Sequence, residues 1–250
     1  MSTFQIPYLS VARASGEDAE AFLQSQLSAD VAALEEGSPG FACYCTPKGQ
    51  VLGLLLVGRR GEDFLLAAHT ALLPGLLKRL GMYVLRSKVR LALEPGLCVS
   101  GASGPEWSFA ADAPALDDTD AWRAEELRSG VAWLDTDTAE KFIPQMLGYD
   151  TIGAVSFQKG CYPGQEIVAR ARYLGKVKRL PAIVEIEGRP GLKNGSRLRL
   201  GRAGEWTDAV LVDHAEDGDK TVLFTVARDP GETAFDEIEY EGSNYRCATT

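Results

Sequence analysis

The residues best suited to chemistry in this chain stand together in one string, Lys159-Gly160-Cys161-Tyr162-Pro163-Gly164-Gln165-Glu166. Its two glycines relieve bulk where a backbone bends sharply or approaches something closely, and Pro163 suits the opening of a helix predicted from Gln165 to Tyr173. Such a turn sets Cys161 near a helix N-terminus. There the helix dipole and the Lys159 ammonium both favour thiolate over thiol, the condition for nucleophilic or metal-binding cysteine chemistry, so Cys161 is expected to alkylate faster than the other cysteines. The ordinary alternative is a buried structural thiol. The string also heads the segment 159–179, which carries a charge of +5 while the rest of the chain carries −14. A solvated helix face accounts for many such clusters, and an anionic ligand for others.

The elements that must position this string read as mixed. Ser15 and Asp18 have capping-box spacing ahead of a helix bearing Phe22, Leu23 and Leu27. Phe41 to Cys45 and Gln50 to Val57 read as a hairpin closed by Thr46-Pro47-Lys48-Gly49, followed by a strand at Glu62 to Ala67, a helix at Ala71 to Leu80 and a strand at Lys88 to Leu93. Gly101 to Asp120, rich in Gly, Pro and acids around Trp107, reads as a loop-rich connection. From Pro181 onward only short strands recur, at 183–186, 196–200, 209–212, 221–226 and 237–240, separated by turn residues such as Lys193-Asn194-Gly195 and Asp229-Pro230-Gly231. The expectation is an α+β region followed by a small all-β barrel or sandwich, the break lying between Gly175 and Leu180.

Composition excludes several classes. At 45% hydrophobic and 24% charged, 250 residues are neither disordered nor fibrous, and they suffice for more than one module. A net charge of −9 argues against a broad nucleic-acid or anionic-membrane surface. The longest apolar run, Val51 to Val57, is far short of a bilayer span, and Met1 to Gln5 has no basic region ahead of an apolar stretch; a cytoplasmic protein is expected. The five cysteines match neither a disulfide framework nor a metal ribbon, so they read as thiols and no metal site is expected. Cys43 and Cys45 share one strand face and read as small core residues. His69 and His214 read as solvated turn residues, and Trp122 and Trp133 as either core or a stacking surface for a flat ring.

The strings Phe142-Ile143-Pro144-Gln145 and Ser156-Phe157-Gln158-Lys159 through Ala171 closely resemble the signature of the YgfZ family of folate-binding proteins, related to the glycine-cleavage T-protein, an aminomethyltransferase. Weaker resemblance runs through Gly16 to Ala19, Phe22-Leu23-Gln24, Pro47-Lys48-Gly49 and Tyr83 to Val89. The resemblance implies two intertwined α+β lobes over 1–176, with an internal boundary near 45–100, sharing a tetrahydrofolate-type site, and a C-terminal β-barrel over 177–250. It implies a role in synthesis or repair of iron–sulfur clusters in client enzymes, affecting tRNA modification indirectly, with no direct contact to nucleic acid. Cys161 and Lys159 would carry the chemistry. Gly160, Tyr162, Gly164, Gln165, Glu166, Arg170, Arg172, Trp122 and Trp133 would hold the folate, and the basic residues through Lys176 and Lys178 would hold its glutamyl tail. Two departures matter. No carboxylate follows His69, where T-proteins place an aspartate, so aminomethyl transfer is disfavoured. Arg128 stands where relatives place a pterin-binding carboxylate, with Ala132 for their proline, and Glu125 or Glu126 substitutes only in a shifted register. A one-carbon transferase and a non-catalytic interaction scaffold are the rival readings.

Overall fold

A computed structural model describes residues 3–102, 106–115, 118–175, 177–228 and 234–248. Along the chain run β1 (Phe4–Gln5), β2 (Leu9–Ser15), α1 (Ala19–Gln26), β3 (Gly40–Cys45), β4 (Val51–Arg60), β5 (Asp63–His69), α2 (Leu73–Gly81), β6 (Arg90–Leu93), β7 (Cys98–Ala102), β8 (Glu106–Ala110), α3 (Thr119–Arg128) and α4 (Gln165–Tyr173). The remainder is strand: β9 (Arg179–Glu187), β10 (Arg197–Arg202), β11 (Glu205–Asp217), β12 (Lys220–Arg228), β13 (Glu237–Tyr240) and β14 (Ser243–Arg246). They form three antiparallel sheets, ordered β3-β4-β5-β2-β6, β1-β7-β8 and β14-β13-β10-β11-β12-β9. No helix among the described residues is long and apolar enough to cross a membrane.

The near-continuous apolar run of β4 follows from its position, because both faces of the five-stranded sheet are covered. One face packs Tyr44, Leu55 and Leu66 under Phe22 and Leu23 of α1 and Leu73, Leu76 and Leu80 of α2. The other face sends Cys43, Cys45, Leu54 and Leu56 into a central core with Trp122 and Leu127 of α3, Trp133, Tyr149 and Val168 of α4. Val212, Phe224 and Val226 of the six-stranded sheet join that same core, so this sheet is built into the rest of the molecule. Its opposite face packs on itself through Val184, Leu198, Leu200, Leu211, Leu223 and Ile238. The outermost strands meet at the isolated bridge between Ile186 and Cys247 and at the hydrogen bond from Ala248 N–H to the Glu185 carbonyl at 2.8 Å.

Several sequence expectations need correcting. The capping box does not form: Gly16 turns at φ +115°, and Asp18 accepts from the Lys88 backbone N–H at 2.7 Å instead of capping α1. That bond ties the helix start to the chain entering β6. The stretch read as a loop after Gly101 holds the β7–β8 hairpin and, from Thr119, the helix α3, whose Asp118 side chain accepts from Ala121 N–H. Its scattered Gly, Pro and Asp hide the short strand β8, which pairs with β7 and packs Trp107 and Phe109 on the central core. His214 lies inside β11 and not in a turn, and a further strand, β14, follows β13. Lys176 and the Asp229-Pro230-Gly231 turn lie outside the described residues.

Candidate functional site

The Lys159–Glu166 string crosses the closed end of the β3–β4 hairpin and leads into α4 at the expected residue. The Thr46–Gly49 turn is closed by hydrogen bonds from Thr46 N–H to the Gln50 carbonyl and from Gly49 N–H to the Thr46 carbonyl, both at 2.8 Å. Gly164 lies directly against it. A Cβ there would stand 2.4 Å from the Thr46 oxygen and 2.7 Å from the Gly49 backbone, and the residue turns at φ +83°. Upstream, Gln145 donates to the Val168 carbonyl at 2.7 Å and pins α4 from the side, while its own buried Oε1 has no partner among the described residues.

Lys159 is the second clamp. Its Nζ donates to the carbonyls of Gln24, Leu27 and Ala29 at 2.5, 2.7 and 2.8 Å, which end α1 and the chain just beyond it. A cation at a helix C-terminus is favoured by the dipole and satisfies carbonyls that lack helical partners. Burial lowers the Lys159 pKa to about 8 against the opposing charge of Asp30, which still leaves it the ammonium at neutral pH. All three N–H donors are thus spent on main-chain oxygens, and none is left for the Cys161 sulfur. Lys159→Met should lower stability by about 2–3 kcal/mol, as measured by urea unfolding, because three carbonyls lose a charge-assisted donor.

Between these clamps Cys161 is exposed, Tyr162 is buried and Gly160 borders open space. The Lys159 ammonium lies 5.6 Å from the Tyr162 ring centre, a cation–π contact that seats the ring inward and leaves the thiol outward. The other thiols are of a different kind. Burial pushes Cys43 well up, Cys45 up to about 12 and Cys247 up to about 11, and raises Cys98. Gln165 is half-buried, and Glu166, Arg170 and Arg172 are exposed on α4. Arg172 reaches Asp150 at 3.5 Å and lies over the Phe157 ring.

Trp122 and Trp133 do not line this turn. Trp122 is packed edge-on against Phe4 and Trp107 within the core, and Trp133 is 1% exposed. Trp133 belongs to a second polar group, to which the sequence points only through Glu126. The Glu126 carboxylate is 0% exposed; it accepts from Tyr8 Oη at 2.5 Å, Trp107 Nε1 at 2.7 Å and Trp133 Nε1 at 3.2 Å. Burial raises its pKa to about 7, and the three hydrogen bonds only partly oppose this. Arg128, in contrast, faces outward to Glu185 and Asp217 and binds the end of α3 to the six-stranded sheet.

Beside Glu126, Arg123 stacks on the Tyr8 ring and makes a two-pronged pair with the fully buried Asp213 of β11. Burial alone would lower the Arg123 pKa, but the charge and hydrogen bonds of Asp213 outweigh it and hold the group above its ordinary value. His214 Nδ1 meets Asn194 Oδ1 at 2.9 Å, and Asn194 donates to Asp135 at 2.9 Å. The fields of Arg123, Asp135 and Asp213 all reach His69 at the end of β5, whose pKa burial lowers. Residues from β2's approach, β5, β8, α3 and β11 thus converge on one polar cluster. No sequence spacing announces it, because even the directly bonded Tyr8 and Glu126 are 118 residues apart.

The sign of the Glu126 shift makes a test. Its folded pKa lies above 4.5, the ordinary value for a glutamate, so between about 4.5 and 7 the folded state holds a proton that the unfolded chain has released. Stability from this group should therefore fall as pH rises through that window, by up to about 3 kcal/mol. Urea melts of wild type and Glu126→Gln across pH 4.5–7.5 should show a slope that the variant lacks; parallel curves would refute it.

In fold the chain is a protein of the aminomethyltransferase T type. It superimposes on the crystal structure of the glycine cleavage system aminomethyltransferase T from Bartonella henselae with a TM-score of 0.70 over 98% of this chain and 84% of that one, at 14% identity. No family model matches the sequence. An uncharacterised protein of Haemophilus influenzae is 31% identical over 79% of this chain and 80% of its own length. Proteins named tRNA-modifying protein YgfZ are 29% identical in an Enterobacter species, over 68% of this chain and 67% of theirs, and 27% in Klebsiella pneumoniae, over 89% and 80%. The chain belongs to the YgfZ family.

Proposed function

We propose that this chain is a folate-binding accessory protein in which Cys161 acts on iron–sulfur clusters of client enzymes during their synthesis or repair, in the cytoplasm, with tRNA modification as a downstream consequence. The observation that carries this reading is the build of the Cys161 turn. A motif clamped at Lys159 by three carbonyls and at Gly164 by a backbone contact holds one exposed thiol, while the other four thiols are wholly or partly buried. A rigid support under an accessible nucleophile is what thiol chemistry on a bulky client requires.

The Glu126 cluster supports the folate part. A pterin presents N–H donors from a flat aromatic ring, and Glu126 is a buried acceptor walled by aromatic rings, with three donors on about four lone-pair positions. Tyr8 and Trp107, both half-buried, are the sides from which it can be reached. Glu126, Tyr8 and Arg123 would hold the ring. A reduced folate, when bound, supplies a one-carbon carrier. Aminomethyl transfer is the weaker reading, since Thr70-Ala71-Leu72 between β5 and α2 contains no acid. We also assign 1–176 as the folate-binding part and 177–250 as a barrel with its seam at Ile186–Cys247, on the strength of the self-packed sheet face.

Titration of the purified chain with tetrahydrofolate should quench its tryptophan fluorescence with micromolar or tighter affinity, since Trp107 and Trp133 both contact Glu126. Glu126→Gln should weaken binding about tenfold or more, because one acceptor oxygen becomes a donor. An unchanged affinity in that variant would remove Glu126 from the site, and no binding by wild type would remove the folate.

A further inference from the structure

The outer face of α4 is left largely open to solvent, although Ile167 touches the Gly49 turn at one edge. Ile167, Arg170, Tyr173 and Leu174 recur at helical spacing and share one face, opposite the buried Val168. Ile167 is 41%, Tyr173 68% and Leu174 84% exposed. Side chains of this size left in water forgo the free energy that burial would return, so a cluster of them on one helix marks a contact surface. Tyr173 extends it by meeting the Phe157 ring edge-on at 6.0 Å. Among the described residues Arg170 and, just beyond the helix, Lys178 make no ion pair, although acids outnumber bases in the chain by nine.

We propose that this face docks a partner protein whose own surface is acidic around an apolar centre, and that it brings that partner to Cys161, which precedes the same helix. Charge decides the partner. A positive island on a chain of −9 attracts an acidic protein and repels a basic one, and beside this apolar centre the unpaired Arg170 and Lys178 outnumber the one exposed acid of the face, Glu166. RNA fits less well: of this face only Tyr173 could stack a base, and the basic area does not extend over the rest of the chain. The docking itself stands on the face alone; its service to Cys161 rests on the function proposed above.

The test places a photo-crosslinking phenylalanine analogue at position 173 of the full chain, in cells lacking the native protein. The crosslinked species is identified, purified on its own, and titrated with wild type, Arg170→Glu and Leu174→Asp. Support requires an acidic protein whose affinity falls about tenfold or more in each variant and weakens with salt, while iodoacetamide labels Cys161 at the wild-type rate. Crosslinks to RNA only, to a second copy of this chain, or to nothing overturn the proposal, as does equal affinity in the variants. Cys161→Ala separates the two readings. It should bind the purified partner as wild type does, and if it also sustains iron–sulfur enzymes, the functional reading fails while the docking face stands.

Discussion

Gly164→Ala should cost this protein about 3 kcal/mol or more, a large loss for the addition of one methyl group. The added methyl would meet the Thr46 oxygen at 2.4 Å and the Gly49 backbone at 2.7 Å. Every one of these atoms is main chain, so no flexible side chain can swing aside. The φ of +83° adds the penalty of a left-handed conformation for an L residue. Relief requires moving the Thr46–Gly49 turn, which is closed by two hydrogen bonds at its base, or the start of α4, which is held by Gln145. Gly160→Ala is the control. A Cβ at Gly160 meets nothing within 4 Å, and its effect should stay within about 0.5 kcal/mol. Urea unfolding of both variants decides the matter; equal losses would mean that the close approach at Gly164 is not what the motif needs its second glycine for.

That contact also shows what can be read along the chain and what cannot. The start and end of α4, the hairpin and its Thr46–Gly49 turn, and all five C-terminal strand segments follow from local periodicity and turn chemistry, and each appears in the structure. The partner of Gly164 lies over a hundred residues away, so spacing reveals that a glycine is needed without saying what it approaches. Lys159 is harder still. Next to Cys161 in sequence, it invites an electrostatic reading, but its ammonium is drawn to three carbonyls at the end of α1, a helix whose last turn has no basic residue of its own. Glu126 is concealed for another reason. It sits in a helix crowded with charged residues, beside Arg123, Glu125 and Arg128, and its burial becomes visible only when Tyr8, Trp107 and Trp133 arrive from three other segments. Trp122 and Trp133 are open to either reading, core or ligand platform, because an aromatic residue suits both; the fold packs both rings in the central core, and Trp133 also donates to Glu126 there.

Cys161→Ala should leave folding and folate affinity unchanged and abolish support of iron–sulfur enzymes in cells lacking the native protein. The expected indifference of the fold follows from exposure: the thiol fills no core space, so removing its sulfur leaves no cavity, and the change in stability should stay within about 0.5 kcal/mol. The proposed folate site centres on Glu126, whose contacts are Tyr8, Trp107 and Trp133 and do not include the turn. The loss of activity follows from chemistry that alanine cannot replace, since attack on or ligation to a cluster requires sulfur. Lys159→Met gives the contrasting pattern. It keeps the thiol but releases the turn from α1, so activity and stability should fall together. Iodoacetamide labelling followed by peptide mass spectrometry fixes the premise, because Cys161 should be alkylated first and the buried Cys43 and Cys45 last. Full complementation by Cys161→Ala would return this chain to the class of scaffolds, and robust aminomethyl transfer by the wild-type protein would return it to the transferases, whose fold it shares.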